Sequence, residues 1–191
     1  MVRQAFEQSH GARLSAFYPF MLGIRDRGGE YRAVAGIRSG AEDLFAEHYL
    51  SDRVEKLLGV SRQEVVEVGN LASCRSGEIR WVIAAVTAFL QGAGFSRVII
   101  TLTPLLRNSF RRMGLPLVRL APARQERLPA GMAGDWGEYY ECRPEVCMGR
   151  IAVGYRAFRE HICSSDSLRP LWEQALVLGE AHGRRLRGKE G

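Results

Sequence analysis

The sequence contains no apolar run approaching the roughly 20 residues needed to cross a bilayer. Its opening stretch, MVRQAFEQSHGARLS, has no apolar segment of the signal-peptide type. These two absences predict a cytoplasmic protein without a membrane span. There is also no internal repeat and no low-complexity segment, which excludes a solenoid or fibrous architecture.

Side chains that bind metals are few and poorly spaced. None of the cysteines and histidines shows the short spacings of a zinc site, so no metal site is predicted. In a reducing cytosol the cysteines are expected to stay free thiols. The residues concerned are Cys74, Cys142, Cys147, Cys163, His10, His48, His161 and His182.

Lysine is nearly absent, because only Lys56 and Lys189 interrupt an otherwise arginine-only set of 27 cations. Against 21 acidic residues this gives a net charge of +6. Such a surface attracts an acidic partner, whether nucleic acid, anionic lipid, a phosphate-bearing cofactor or an acidic carrier protein. The arginines are dispersed and no aromatic stacking platform stands out, so nucleic acid is not an expected partner.

A chain of 191 residues that is 46% apolar and 25% charged is long enough to bury one substantial core. We therefore expect a single α/β domain over residues 1–165. Residues 166–191 are expected to form a C-terminal helix, over about 168–186, and a basic tail whose sequence is GRRLRGKEG over 183–191.

The first half of the chain predicts a hairpin and then helical segments. Strand-like runs at 20–25 and 31–37 flank DRGG, a hairpin signal. The apolar spacing over 44–58 predicts one helix or two short ones, ending at Gly59. A strand follows at 64–71, and an apolar helix at 78–91 is expected to be buried on the sheet.

The second half predicts parallel pairing. The β-branched run RVIITLT, residues 97–103, is typical of a buried central strand parallel to the previous one. A helix is predicted from Pro104 to just before Gly114. LPLVRLAP, WGEYYE and VCMGRIAVGYRAF are interpreted as further strands.

Three segments carry a family resemblance. VEVGNLAS (66–73), LRNSFRRMGLPL (106–117) and WGEYY (136–140) occur in this order, and together they resemble the thermostable haemolysin family. More broadly, the core resembles the acyl-homoserine-lactone synthases within the GNAT acyltransferases. The resemblance covers about residues 22–149. It implies a GNAT-like mixed sheet with splayed central parallel strands and helices on both faces.

In such a fold the two central parallel strands separate partway along their length. This splay exposes backbone groups that form hydrogen bonds with the pantetheine amides of an acyl thioester. The resemblance places the splay at Gly69 and Asn70. The adjoining segment, ending at a helix start that favours an anion, is then the binding site for a pantetheine phosphate. Its residues are Gly69, Leu71, Ala72, Ser73, Arg75, Ser76 and Gly77. The serines and glycine also suit an ordinary helix start with no ligand.

Glu67 is the predicted general base, because N-acylation requires a neutral amine and a carboxylate can take its proton, directly or through one water. Strand alternation places Glu67 and Gly69 on one face. Arg38, one strand away, is the expected partner and would bind an acceptor's carboxylate. Asn70 is assigned to the catalytic site with them. A buried Arg38–Glu67 ion pair that only fixes the register is the structural alternative.

The sequence departs from the usual acetyl-CoA-dependent pattern. The tyrosine that protonates the leaving thiolate in those enzymes is replaced by Phe110, and ASCRSG is a loose match to their phosphate loop. Synthases of acyl signals share the missing tyrosine and often use acyl carrier protein. Arg107, Arg111 and Arg112 are therefore candidates for docking an acidic carrier, or else cations that favour a helix end.

The resulting hypothesis is an N-acyltransferase that moves an acyl group, above all a fatty acyl group, from acyl carrier protein or CoA to a small amine or amino acid. The acyl thioester is a co-substrate, and no tightly bound cofactor is expected. The alternative is a non-catalytic GNAT-fold protein that binds acyl carrier protein, lipid or another protein. Direct membrane lysis has little support, since no lytic amphipathic helix is evident.

Overall fold

The computed structural model describes residues 1–13, 17–75, 77–132, 136–162 and 168–188. These residues form an α/β fold of six strands, six α-helices and short 3-10 turns. The strands are β1 Phe20–Arg25, β2 Tyr31–Ser39, β3 Val65–Ser73, β4 Arg97–Leu102, β5 Val118–Pro122 and β6 Glu145–Arg150. The helices are α1 Val2–His10, α2 Val54–Leu58, α3 Ile79–Gly92, α4 Pro104–Arg112, α5 Ile151–Ile162 and α6 Arg169–Leu186, and a 3-10 helix at Phe45–His48 precedes α2.

The strands form one mixed sheet in the order β1-β2-β3-β4-β6-β5. The hairpin β1-β2 and the pair β2-β3 are antiparallel. Since α3 carries the chain back across the sheet, β3 and β4 are parallel, as predicted. β6 is inserted between β4 and β5 and is antiparallel to both.

Helices cover both faces of this sheet, which confirms the predicted fold class. On one face, Val66, Val68 and Ile100 pack in a core with α3, α5 and α6. On the other face, Val65 and Ile99 pack with the 3-10 helix and α2. The strict alternation of neighbouring valines between the faces therefore places Glu67 with the second layer.

The predicted C-terminal helix is confirmed as α6, which packs tightly on α3. A Cβ on Gly179 would lie 2.1 Å from the carbonyl oxygen of Phe89, so the two backbones meet where only glycine fits. The expected domain boundary at 165/166 lies outside the described residues and stays a prediction. No helix in the described ranges combines the length and apolarity needed to cross a bilayer.

Two strand predictions were wrong. WGEYYE contains a 3-10 helix, Tyr139–Cys142, because its aromatic rings pack against one another and not across a sheet. In VCMGRIAVGYRAF only the first part is a strand, β6, and the remainder begins α5. The sequence interpretation also missed α1. Cys163 and residues 189–191 of the predicted basic tail lie outside the described residues, while Cys74, Cys142 and Cys147 are free thiols.

Candidate active site

The two central parallel strands separate partway along their length. β3 and β4 are paired from Val65 opposite Arg97 to Val68 opposite Ile100. Beyond this point β3 continues through residues 69–73 in register with β2 alone. The predicted splay at Gly69 and Asn70 is thus present, and it leaves a β3 edge whose backbone groups can bind an extended ligand.

A β-bulge marks the start of the splay. Gly36 lies opposite Gly69 and Val34 lies opposite Ala72, so Asn70 and the following residue share one partner on β2. Asn70 adopts a left-handed conformation with φ of 48°, which asparagine tolerates better than most residues. Its side-chain oxygen accepts a hydrogen bond from the backbone N–H of Tyr18 at 3.0 Å. Asn70 therefore ties the segment before β1 to the splay.

Glu67 is a carboxylate in the core of the protein, only 1% exposed. The backbone N–H groups of Phe45 and Ala46, at the start of the 3-10 helix, donate to its two oxygens at 2.7 and 2.8 Å. Burial raises the pKa of Glu67 to about 7, against the opposing effect of these hydrogen bonds, the Tyr18 phenol and the Arg38 charge. A carboxylate that titrates near neutrality is suited to general-base chemistry.

The 3-10 helix that holds Glu67 is fixed in turn by Arg62. The guanidinium Nη1 of Arg62 lies 2.7 Å from Glu47 and 2.8 Å from Glu55, and its Nε donates to the Gly40 carbonyl at 2.7 Å. Glu47 also accepts a hydrogen bond from the N–H of Leu44 at 3.2 Å. The sequence interpretation missed Arg62, whose position three residues before the start of β3 gave no signal of these contacts.

Arg38 lies directly opposite Glu67 in the β2-β3 register, as expected. In the described structure, however, the two side chains form no ion pair. The Nη1 of Arg38 donates to the Asp43 carbonyl at 3.3 Å, and its guanidinium lies 4.6 Å from the centre of the Tyr18 ring. Its Nε is buried without a hydrogen-bond partner among the described residues, which is uncommon for a buried polar group.

Tyr18 is the second residue missed at the sequence level, and it contacts all three predicted catalytic residues. Besides Asn70 and Arg38, its phenol is within hydrogen-bonding reach of Glu67. A Cβ on Gly69 would lie 2.8 Å from the ring. The paired glycines at 36 and 69 were the available signal, because glycine inside a strand often marks a close approach.

The predicted phosphate segment is brought to the start of α3. Ala72 is buried against α1, while Arg75 and Gly77 are exposed and Gly77 has a positive φ of 88°. Ser73 Oγ lies 3.4 Å from the Arg75 carbonyl oxygen. Ser76 lies outside the described residues.

A carboxylate already stands at this helix start. Glu78, the residue before α3, forms an ion pair with Arg32 on β2. An anion at the N-terminus of α3 therefore shares the position with Glu78, and Arg75 and Arg80 are exposed cations beside it.

An apolar cavity of about 60 Å³ adjoins the splay on the face opposite Glu67. It includes Val68 and Ile100, the last paired residues of β3 and β4, and Leu71 beyond them. Phe110 of α4 also lines it, at the position where the resemblance implied a tyrosine. The cavity thus lies beside the gap between the two strands.

The three arginines of α4 differ in their surroundings. Arg107 is ion-paired with Glu145 of β6, which also pairs with Arg119 at 2.7 Å. Arg111 and Arg112 are exposed in the last turn of α4, where cations favour the helix dipole. Leu105, in the first turn of the same helix, is 72% exposed to solvent.

Residues 1–155 match the family model described as thermostable hemolysin. No curated protein matches the sequence.

Solved structures with the same fold include synthases of acyl-homoserine lactones. The AHL synthase LasI has a TM-score of 0.56 at 15% identity, over 83% of this chain and 84% of LasI. The CoA-dependent acyl-homoserine lactone synthase MesI has a TM-score of 0.55 at 13% identity, over 87% of this chain and 88% of MesI. A third structure, the CoA-dependent acyl-homoserine lactone synthase BjaI with SAM and isopentyl-CoA, has a TM-score of 0.50 at 15% identity, over 85% of this chain and 69% of BjaI. At these identities the likeness shows the fold alone.

Proposed function

This chain belongs to the thermostable hemolysin family, and from that membership and the fold it shares with acyl-homoserine-lactone synthases we propose that it is an N-acyltransferase. It moves an acyl group, above all a fatty acyl group, from a carrier-protein or CoA thioester to a small amine or amino acid. The observation that supports this proposal most strongly is the gap in the sheet at Gly69, with the carboxylate of Glu67 on one face and the apolar cavity on the other.

The donor side of the proposal rests on the free edge of β3. The backbone of residues 69–73 would bond the amides of pantetheine, and the acyl chain would enter the cavity behind Val68 and Leu71. Two of the similar structures are CoA-dependent, and one contains isopentyl-CoA. The thioester is a co-substrate that enters and leaves with each turnover.

The chemistry rests on Glu67. As the amine nitrogen attacks the thioester carbonyl, the carboxylate accepts the proton that the nitrogen loses. Backbone N–H groups near Leu71 and Ala72 would stabilise the developing oxyanion. The buried, unpartnered Nε of Arg38 supports an acceptor that carries a carboxylate, such as an amino acid.

The charge around the donor site favours acyl carrier protein over CoA. The carboxylate of Glu78 at the start of α3 repels additional negative charge. The site therefore suits the single phosphate of a phosphopantetheine arm, held by Arg75, better than a pyrophosphate, which carries more negative charge. Arg111, Arg112 and the exposed Leu105 would contact the acidic carrier.

The proposal is tested by incubating the protein with acyl-carrier-protein and acyl-CoA thioesters of several chain lengths, together with mixed amino acids and amines. Mass spectrometry then searches for N-acyl products, beside Glu67→Gln as a control. We expect a product that requires the thioester and disappears in the variant. If the wild-type protein forms no product with any donor, the proposal is wrong.

A non-catalytic role in binding a carrier protein or other partner is the second candidate. One observation favours it: Phe110 replaces the tyrosine of related enzymes and is largely buried, so α4 offers no acid for a leaving thiolate. Tight binding of an acyl carrier protein without product would support this function instead.

A further inference from the structure

Glu67 is enclosed by the start of the 3-10 helix and by Tyr18. Its oxygens accept hydrogen bonds from Phe45 and Ala46, and it is 1% exposed. Among the described side chains, the Tyr18 phenol is the hydrogen-bonding group within its reach. An amine at the splay would therefore meet Tyr18 before it meets Glu67.

Tyr18 lies at the splay, where the proposed function brings the amine. Its hydroxyl oxygen would lie 2.9 Å from a Cβ on Gly69, the first residue of β3 beyond the paired region. The residue as a whole is half-buried, and its ring and hydroxyl lie against Gly69, on the same face of β3 as Glu67. Glycine at position 69 is what makes room for the ring.

The position of Tyr18 is also held firmly. Its backbone N–H donates to Asn70 Oδ1 at 3.0 Å, and the Arg38 guanidinium lies 4.6 Å from its ring centre, which is a cation–π contact. Both anchors are residues that the sequence assigned to the catalytic site. Groups held this way keep the geometry that a proton transfer needs.

We infer that Tyr18 is a catalytic residue that relays the proton of the acceptor amine to Glu67; this rests on the proposed function. As the amine nitrogen attacks the thioester carbonyl carbon, the C–N bond forms, the C–S bond breaks and the thiolate leaves. The amine proton passes to the Tyr18 oxygen while the Tyr18 hydroxyl proton passes to Glu67. Glu67 then loses its proton through the Tyr18 hydroxyl to water at the splay, and the thiolate takes one from water.

A phenol suits this step because it accepts and donates a hydrogen bond through one oxygen. Burial and the neighbouring Glu67 carboxylate raise the pKa of Tyr18 well above its usual value, with Tyr139 adding to the effect and Arg38 opposing it. The resting phenol is thus neutral and keeps the proton that the relay requires.

The test is Tyr18→Phe, which keeps the ring over Gly69 and under Arg38 but removes the hydroxyl. We expect kcat to fall about a hundredfold or more, with KM for donor and acceptor within about threefold of wild type. The matched control is Tyr31→Phe, which removes a hydroxyl bonded to Arg25 on the exposed hairpin and should leave kcat unchanged. A proton inventory in mixed light and heavy water should be curved for wild type and linear for Tyr18→Phe.

Other results would overturn the inference. Wild-type kcat in Tyr18→Phe, beside an inactive Glu67→Gln, would reject the relay and leave the proposed function standing. Higher activity or a lower acceptor KM in Tyr18→Ala would mean that Tyr18 blocks the site. Absence of N-acyl product from wild type with every donor would reject the proposed function and the relay together.

Discussion

Arg38 and Glu67 lie directly opposite each other on β2 and β3, yet Tyr18, and not an ion pair, connects their charged groups. The guanidinium faces the ring at 4.6 Å, and the carboxylate is within reach of the phenol. A direct ion pair would neutralise both groups. The observed arrangement leaves Glu67 with a pKa near 7 and Arg38 with an Nε that has no partner among the described residues, and the proposed acyl transfer requires both properties.

The pKa of Glu67 predicts opposite pH trends for stability and activity. Burial raises it from 4.5 in the unfolded chain to about 7 in the folded one, so between these values only the folded state holds the proton. The stabilisation is therefore complete below about pH 4.5 and lost as the pH rises to about 7. Relative to Glu67→Gln, urea unfolding should show the wild type losing about 3 kcal/mol over this range.

Activity should rise over the same range, because only the ionised carboxylate accepts a proton. With an acceptor whose amine pKa is below about 6, kcat should rise about tenfold per pH unit until about pH 7 and then level off. If the stability difference or kcat stays constant over this pH range, the pKa assigned to Glu67 is contradicted.

Arg62 is predicted to support the site from a distance. In Arg62→Met the carboxylates of Glu47 and Glu55 lose their shared partner, and the 3-10 helix that donates to Glu67 loosens. We expect about 2 kcal/mol less stability in urea unfolding and a lower kcat. Lys56→Met, which removes an exposed lysine paired with Asp52, is the control and should have little effect on either. Equal effects of the two substitutions would be inconsistent with this role.

Charge reversal on α4 should weaken use of a carrier protein. In the double variant Arg111→Glu/Arg112→Glu, KM for an acyl carrier protein thioester should rise about tenfold or more, and less so at high salt. The matched control is Arg184→Glu/Arg185→Glu, which reverses two exposed arginines in the last turn of α6. If both double variants lose affinity equally, α4 is not the docking surface.

Filling the cavity should shorten the acyl chain that the protein accepts. Val86 of α3 lines the cavity and is 7% exposed, so Val86→Phe places a larger ring there. The product profile should move to shorter chains, with about tenfold discrimination for each methylene that no longer fits. Leu90→Met keeps the volume and should keep the profile. A folded Val86→Phe with the wild-type profile would show that the acyl chain lies elsewhere.

The sequence predicted the elements whose signals are local. The hairpin, the strand carrying Glu67, the apolar α3 and the Pro-initiated α4 all follow from spacing and turn residues, whereas the splay at Gly69 was predicted from the family resemblance. The short apolar run that begins α5 was mistaken for a strand because a run of that length fits either structure. The insertion of β6 between β4 and β5 depends on long-range pairing, which no local pattern encodes.

The candidate site shows the same division. Glu67 and Arg38 were predicted because both lie on strands whose alternation fixes their face. Tyr18 and Arg62 were missed because they are brought to the site from 49 and 5 residues away in sequence by loops whose course depends on tertiary contacts. The N–H groups of Phe45 and Ala46, which hold the carboxylate, are backbone atoms without a side-chain signature.

The most direct measurement of the central claim is a single-turnover reaction with an acyl thioester and a reactive acceptor, in which N-acyl product and released thiol are both quantified. The account predicts one product for each thiol in the wild-type protein. It also predicts transfer about a hundredfold slower or more in Glu67→Gln, with unchanged thioester binding. Thiol released without N-acyl product, or a Glu67→Gln variant as fast as wild type, would contradict it.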